Sequence, residues 1–104
     1  MEVDLGAEQL LAAERQEQKI AVEVKSFLEH SSAIGEFHRA LGQFINYRIA
    51  LTFQEPVRVL YMAVPDLAYN SFFQLDFPQT VIEDNHIKLL VYEINEQEII
   101  KWIN

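Results

Sequence analysis

Lys19-Ile20-Ala21-Val22-Glu23-Val24-Lys25-Ser26-Phe27 is the stretch from which the fold can be read. Ile20, Val22 and Val24 alternate with Ala21, Glu23 and Lys25, the period of a half-buried strand. The alternation also sets Glu23 and Lys25 on one face of that strand, a carboxylate and an ammonium two residues apart. Alone, such a pair is ordinary: E-x-K occurs on many exposed strand faces and contributes about 0 to 1 kcal/mol. Its meaning depends on what surrounds it.

Downstream, Ser32 reads as an N-cap, and Ile34, Phe37, Leu41, Phe44, Ile45 and Ile49 recur at three- and four-residue steps, predicting an amphipathic helix that ends before Pro56. Val57 to Val64 predicts a second strand, closed by Pro65-Asp66, with a short helix after the turn. Ile87 to Tyr92 predicts a third strand. Glu96 to Ile103 fits either a strand paired with it through a turn near Asn95 or a terminal helix. Upstream, the Ala, Glu, Gln and Leu of Ala7 to Arg15 favour helix by propensity, although no strong cap precedes them. Strand, long helix, strand, short helix, strand implies an α/β or α+β class with a mixed central sheet flanked by α-helices.

The 104 residues suffice for one domain spanning 1–104, and half of them are apolar with only three Gly and three Pro, as in a folded globular chain. The absence of Cys excludes disulfide scaffolds, thiolate metal sites and cysteine nucleophiles. With no run long enough to span a bilayer and no signal-peptide pattern at Met1-Glu2-Val3-Asp4, the expected compartment is cytoplasmic. Sixteen acidic residues against eight basic give a net charge of -8, which opposes loose binding to the phosphate backbone. A nucleic-acid role would have to be local, and a divalent cation held by carboxylates would reverse the local sign.

Asp4 lies nineteen positions before Glu23 (23 - 4), with Gly6 beside it. An acid followed by an E-x-K strand is the donor set of metal-assisted phosphodiester hydrolysis: two carboxylates hold hard cations through oxygen, and Lys positions water or neutralises developing charge. Gln43 and Tyr47, at i and i+4 of the long helix, share one side and fall roughly opposite Ile34, Leu41 and Ile45, a placement that fits a purely core role poorly and suits equally a plain surface pair or hydrogen bonding to a phosphate or to the metal ligands. His30, His38 and His86 show no zinc-site spacing, and Phe72, Phe73 and Trp102 read as core.

The order Asp4, Glu23-Val24-Lys25, Gln43-x-x-x-Tyr47 resembles the PD-(D/E)XK superfamily. More closely, Val3-Asp4-Leu5-Gly6-Ala7-Glu8, Ile20 to Phe27, Ala40-Leu41-Gly42-Gln43-Phe44 and Ile99-Ile100-Lys101-Trp102-Ile103 are similar to XisH proteins. The resemblance implies a restriction-endonuclease-like fold, with Asp4 and Glu23 as ligands of Mg2+ or Mn2+, Lys25 as the catalytic lysine, and Gln43 and Tyr47 in support. It implies a factor controlling excision of a DNA element, acting with a small XisI-like partner protein; a sheet face left exposed by the short amino terminus would suit a homo-oligomer or hetero-complex, with DNA as a further ligand. It also makes Leu11 to Arg15 a strand, against the propensity reading. It leads one to expect a further amino-terminal segment that this chain lacks, whose loss would affect the metal site and the burial of one sheet face. A metal-dependent endonuclease and a non-catalytic accessory protein both follow from it.

Overall fold

In a computed structural model, residues 2–5, 8–27, 32–96 and 98–104 are described, with side chains for 11–27, 32–96 and 98–104. The sheet is built outward from the central strand of the sequence reading, β3 (Gln18–Val24), preceded by β1 (Glu2–Leu5) and β2 (Glu8–Arg15). A long helix, α1 (Ala33–Gln54), leads to β4 (Val59–Pro65). Two short helices follow, α2 (Asp66–Asn70) and α3 (Asp76–Asp84), separated by a 3-10 turn at Phe72–Gln74. β5 (Leu89–Glu93) and β6 (Glu98–Ile103) complete the sheet.

The strands lie in the order β1-β2-β3-β4-β5-β6. β3, β4 and β5 run parallel, in a register that aligns Glu23 with Met62 and Met62 with Leu89, while β1, β2 and β6 pair antiparallel. Parallel neighbours need crossovers, and the helices supply them: α1 between β3 and β4, α2 and α3 between β4 and β5. The mixed α/β architecture expected from the sequence is the one found. The tail, open between strand and helix in the sequence, is a strand because Glu98 and Ile103 pair back onto Glu93 and Leu89.

The amino-terminal expectation is corrected. Ala7 to Arg15, read as helix by propensity, contributes its described residues to β2, and Leu11 to Arg15 is strand, as the resemblance implied. Pairing on both sides outweighs propensities of a few tenths of a kcal/mol per residue: Leu11 faces Glu2 on one flank and Val22 on the other.

Helix α1 begins as predicted, with Ser32 Oγ accepting from the Gly35 N–H at 3.3 Å. Its buried face differs from the predicted stripe. Phe37, Ala40, Phe44, Tyr47 and Leu51 are buried, whereas Ile34 and Ile49 are 41% and 55% exposed. At 100° per residue the buried set centres on Phe44 and Leu51, and Ile34, Ile45 and Ile49 lie to one side of it. The spacing of the aliphatic residues alone had rotated the predicted face toward them. The helix packs on Ala21, Met62, Val64, Leu89 and Val91, with Phe73 and Ile82 from the second crossover. At its end Arg58 is buried, its Nη1 donating to the carbonyls of Ile20 at 2.7 Å and Ala13 at 3.2 Å, which ties the helix exit to the β2–β3 hairpin.

The opposite sheet face carries a second cluster, Ile20, Val22, Tyr61, Ala63 and Leu90, flanked by Val59, Tyr92 and Trp102. No described helix contributes to it. No helix among the described residues is long and apolar enough to cross a membrane.

Candidate functional site

β3 delivers Glu23 and Lys25 to the C-terminal end of the parallel strands, where helices and loops converge over the sheet edge. Glu23 stands beside Met62, on the face covered by α1, and is only 4% exposed. It is therefore not a solvated member of a surface pair. A carboxylate so buried is kept charged only by hydrogen bonds, cationic neighbours or a metal ion.

Lys25 is held at three points. Its N–H donates to the Ala63 carbonyl at 2.9 Å, extending the parallel ladder one step beyond β3. Its carbonyl accepts from the Tyr92 hydroxyl at 3.0 Å. Its ammonium donates to the side-chain carbonyl of Gln43 on α1. The loop that follows turns at Phe27, whose φ of 50° is in the left-handed region that bulky residues rarely adopt. Its ring packs edge-on to Phe73 at 5.2 Å between centroids, and Phe73 packs likewise on Phe37 of α1 at 5.7 Å. Aromatic contacts thus fix where the strand leaves the sheet.

Of the five residues expected at the site, the described structure brings Glu23, Lys25 and Gln43 to one end of the sheet and joins the last two directly. Gln43 is half-buried at the margin of the α1 core face, the position from which its amide reaches β3. Tyr47 requires a correction: it is 8% exposed and belongs to the core cluster. Tyr47 lies opposite Ile34, Leu41 and Ile45, but the buried face of α1 is set by Phe37, Phe44 and Leu51, which brings Tyr47 into the core. The backbone of Asp4 is on β1 opposite Gln9, with β2 lying between β1 and β3. Two strand spacings separate the Asp4 and Glu23 backbones, about 10 Å. The Asp4 side chain lies outside the described residues, as do Gly6 and His30.

Among the described residues no group of three or more His, Cys, Asp or Glu is placed to hold a metal ion. Their contribution to a cation is Glu23, a hard oxygen donor of the kind Mg2+ and Mn2+ prefer. A complete site would need Asp4 or another oxygen ligand beside it.

Two residues escaped the sequence reading. Tyr92 is 67 positions from Lys25 and holds its carbonyl, and burial pushes its phenol above the usual value of 10.0. Phe27 shapes the loop. Nothing local announces either one, although Tyr92 does sit at the end of a predicted strand parallel to β3.

The family model described as XisH protein matches residues 1–100. Among solved structures, one of an fdxN element excision controlling factor protein from Anabaena variabilis is 59% identical, with a TM-score of 0.90, covering 100% of this chain and 82% of that one. Another, of an XisH family protein from Nostoc punctiforme, is 57% identical, with a TM-score of 0.88, covering 100% of this chain and 83% of that one. Among curated proteins none matches.

Proposed function

The chain belongs to the XisH family, and from that premise we propose that it is an excision controlling factor of a DNA element whose Glu23, Lys25 and Gln43 form the working part of a metal-dependent, nuclease-type site. The observation that carries this reading is the threefold hold on Lys25, by Ala63, Tyr92 and Gln43, beside a buried carboxylate. The backbone bonds fix where Lys25 leaves the strand, and the Gln43 acceptor orients its ammonium, the kind of pre-organisation that a group meeting a phosphate at a defined place requires.

In this reading the fold is restriction-endonuclease-like, and Glu23 with Asp4 would hold Mg2+ or Mn2+. The cation would supply charge to a phosphodiester and lower the pKa of a bound water. Lys25 holds its ammonium where charge develops on the phosphate. Gln43 accepts from that ammonium and so orients it, a positioning role. Tyr47 supports α1 from the core. DNA is the substrate this reading expects, in keeping with a relative from Anabaena variabilis described as an fdxN element excision controlling factor.

Cleavage of duplex and single-stranded DNA with Mg2+ or Mn2+, compared with Lys25→Ala, tests this. Loss of about 100-fold or more in rate is expected for the variant, the scale of removing one charged group from a developing anion. Equal cleavage by the variant, or none by the natural chain in the presence of its partner, would end the catalytic reading. Titration of Mn2+ into the protein, beside Glu23→Gln, checks the metal separately, with weaker binding expected for the variant.

The net charge of -8 favours a second reading, a non-catalytic accessory protein that keeps this framework and modulates site-specific recombination through an XisI-like partner. It predicts partner binding undiminished in Lys25→Ala.

A further inference from the structure

Helix α1 carries a second apolar stripe beside the buried one. Leu41, Ile45, Ile49 and Phe53 follow at four-residue steps, each about 40° further round the helix, and Ile34 lies in the same sector. Exposure rises along the stripe, from half-buried Leu41 and Ile45 to 55% at Ile49 and 83% at Phe53. The core is filled from the other face, by Phe37, Ala40, Phe44, Tyr47 and Leu51. At the N-terminal end of the stripe α3 adds Phe77, also 55% exposed, its ring edge-on to His38 at 6.5 Å between centroids.

Charge selects the occupant. Glu36 is the one acidic residue of α1, against sixteen in the chain, and it is paired with Arg39 at 2.8 Å. From Arg48 round through Leu41, Ile45, Ile49 and Phe53 to Arg39, about half the circumference, the helix has no Asp or Glu. A basic partner would find no carboxylate on this sector. An acidic partner would find both arginines engaged, Arg39 with Glu36 and Arg48 with the carbonyls of Asn85 and His86. Two chains of net charge -8 repel at long range, and this sector lets them meet without setting carboxylate against carboxylate.

The stripe also fits itself. A two-fold axis near Ile45 sets Ile49 and Phe53 of one copy against Leu41, His38 and Ile34 of the other, the same patch on both sides. The antiparallel sense opposes the helix dipoles and offsets Arg39 and Arg48 from their own counterparts, which a parallel pairing would juxtapose.

We propose that α1 pairs two copies of this chain through that stripe as a symmetric antiparallel dimer. Gln43 lies about 160° round the helix from Ile45, so pairing leaves Lys25 and its neighbours uncovered, and the dimer is independent of what that site does. The 22 residues of α1 span about 33 Å, and a strip of that length and one helix diameter, about 12 Å, covers about 400 Å² in projection. That is at the low end of specific interfaces, and the expected dissociation constant is of order micromolar.

Sedimentation equilibrium across concentrations bracketing that constant measures it, beside Ile49→Lys and Phe53→Lys. Each variant is expected to weaken association at least about tenfold, because the charge enters a small apolar contact twice, once from each copy. Both positions are exposed, so the variants leave the core intact, which circular dichroism verifies. Added NaCl is expected to strengthen the dimer by screening the repulsion between chains. The absence of Cys allows a second readout. Ile45→Cys, at the axis, is expected to oxidise to a disulfide-linked dimer, whereas Phe53→Cys, whose two copies lie about 24 Å apart in an antiparallel pair, is not.

A chain that stays monomeric throughout, or a dimer indifferent to both lysine variants, would overturn the proposal. Cross-linking of Phe53→Cys ahead of Ile45→Cys would overturn it too, by making the pair parallel, and so would a dimer that added salt dissociates. Binding of a Leu-striped, Glu-flanked helical peptide to a monomeric chain, weakened by salt and by Phe53→Lys, would make an acidic partner the occupant in place of a second copy.

Discussion

The Tyr92 hydroxyl shows what a single residue contributes that local pattern does not. It donates to the Lys25 carbonyl across 67 positions, and burial disfavours its charged form. The phenol's folded-state pKa lies above its unfolded value of 10.0, so the neutral form is the one that folding prefers. A group raised in this way adds stability that is fully present below about pH 10 and is lost as pH climbs through the folded value. In Tyr92→Phe that part of the alkaline loss is absent, and at neutral pH the variant is less stable by about 1 kcal/mol, one hydrogen bond. Urea midpoints from pH 7 to 11 check both: the two stability curves should draw together as pH rises above 10, and parallel curves would refute the assignment. Glu23 and Lys25 were legible because alternation is local. Their link to Gln43 was legible only as an order of motifs, and the link to Tyr92 was not legible, since tertiary hydrogen bonds leave no period in the sequence.

The β2–β3 hairpin makes the same point for elements. Arg15 pairs with Gln18 across a two-residue loop, and both loop residues, Gln16 and Glu17, have positive φ, 50° and 73°. This left-handed pair is the geometry of the tight hairpin turn that Asn-Gly adopts at little cost. Gln-Glu carries no such signal and, beside Glu8 to Arg15, favours helix, which is why periodicity missed the hairpin and propensity pointed the wrong way. α1 was legible in extent because Ser32 and Pro56 bound it. Its buried face was not, since aromatic Phe37, Phe44 and Tyr47 decide that face rather than the isoleucines. Replacing Gln16-Glu17 by Asn-Gly removes backbone strain without touching the core, and is expected to raise stability by about 1 kcal/mol. The melting temperature would rise by about 4 to 8 °C for a chain of this size. A fall would mean that the two side chains make compensating contacts.

At the scale of the whole molecule, the sequence predicts a sheet flanked by helices, and one face is covered by a helix that lies in the sequence between two of the strands it covers. The other face could not be read from the strands' own residues, since Ile20, Val22, Leu90 and Tyr92 look equally buried whatever lies above them. Net charge, by contrast, is legible without any structure, and its consequence can be measured. Sixteen acidic residues face eight basic ones, and the ion pairs described are Arg39 with Glu36 at 2.8 Å and Arg58 with Glu55 at 3.1 Å. Arg58 is buried and little affected by salt, and Arg39 is an exposed pair of small worth. Added salt therefore screens more repulsion than attraction. Raising NaCl from about 0.02 to 0.5 M, which shortens the screening length several-fold, should raise the melting temperature by a few degrees. The rise should shrink as pH is lowered toward the isoelectric point near 4.7, where the net charge vanishes. A melting temperature that falls with salt at pH 7 would show that the carboxylates are locally compensated, and would remove the charge argument from the accessory reading.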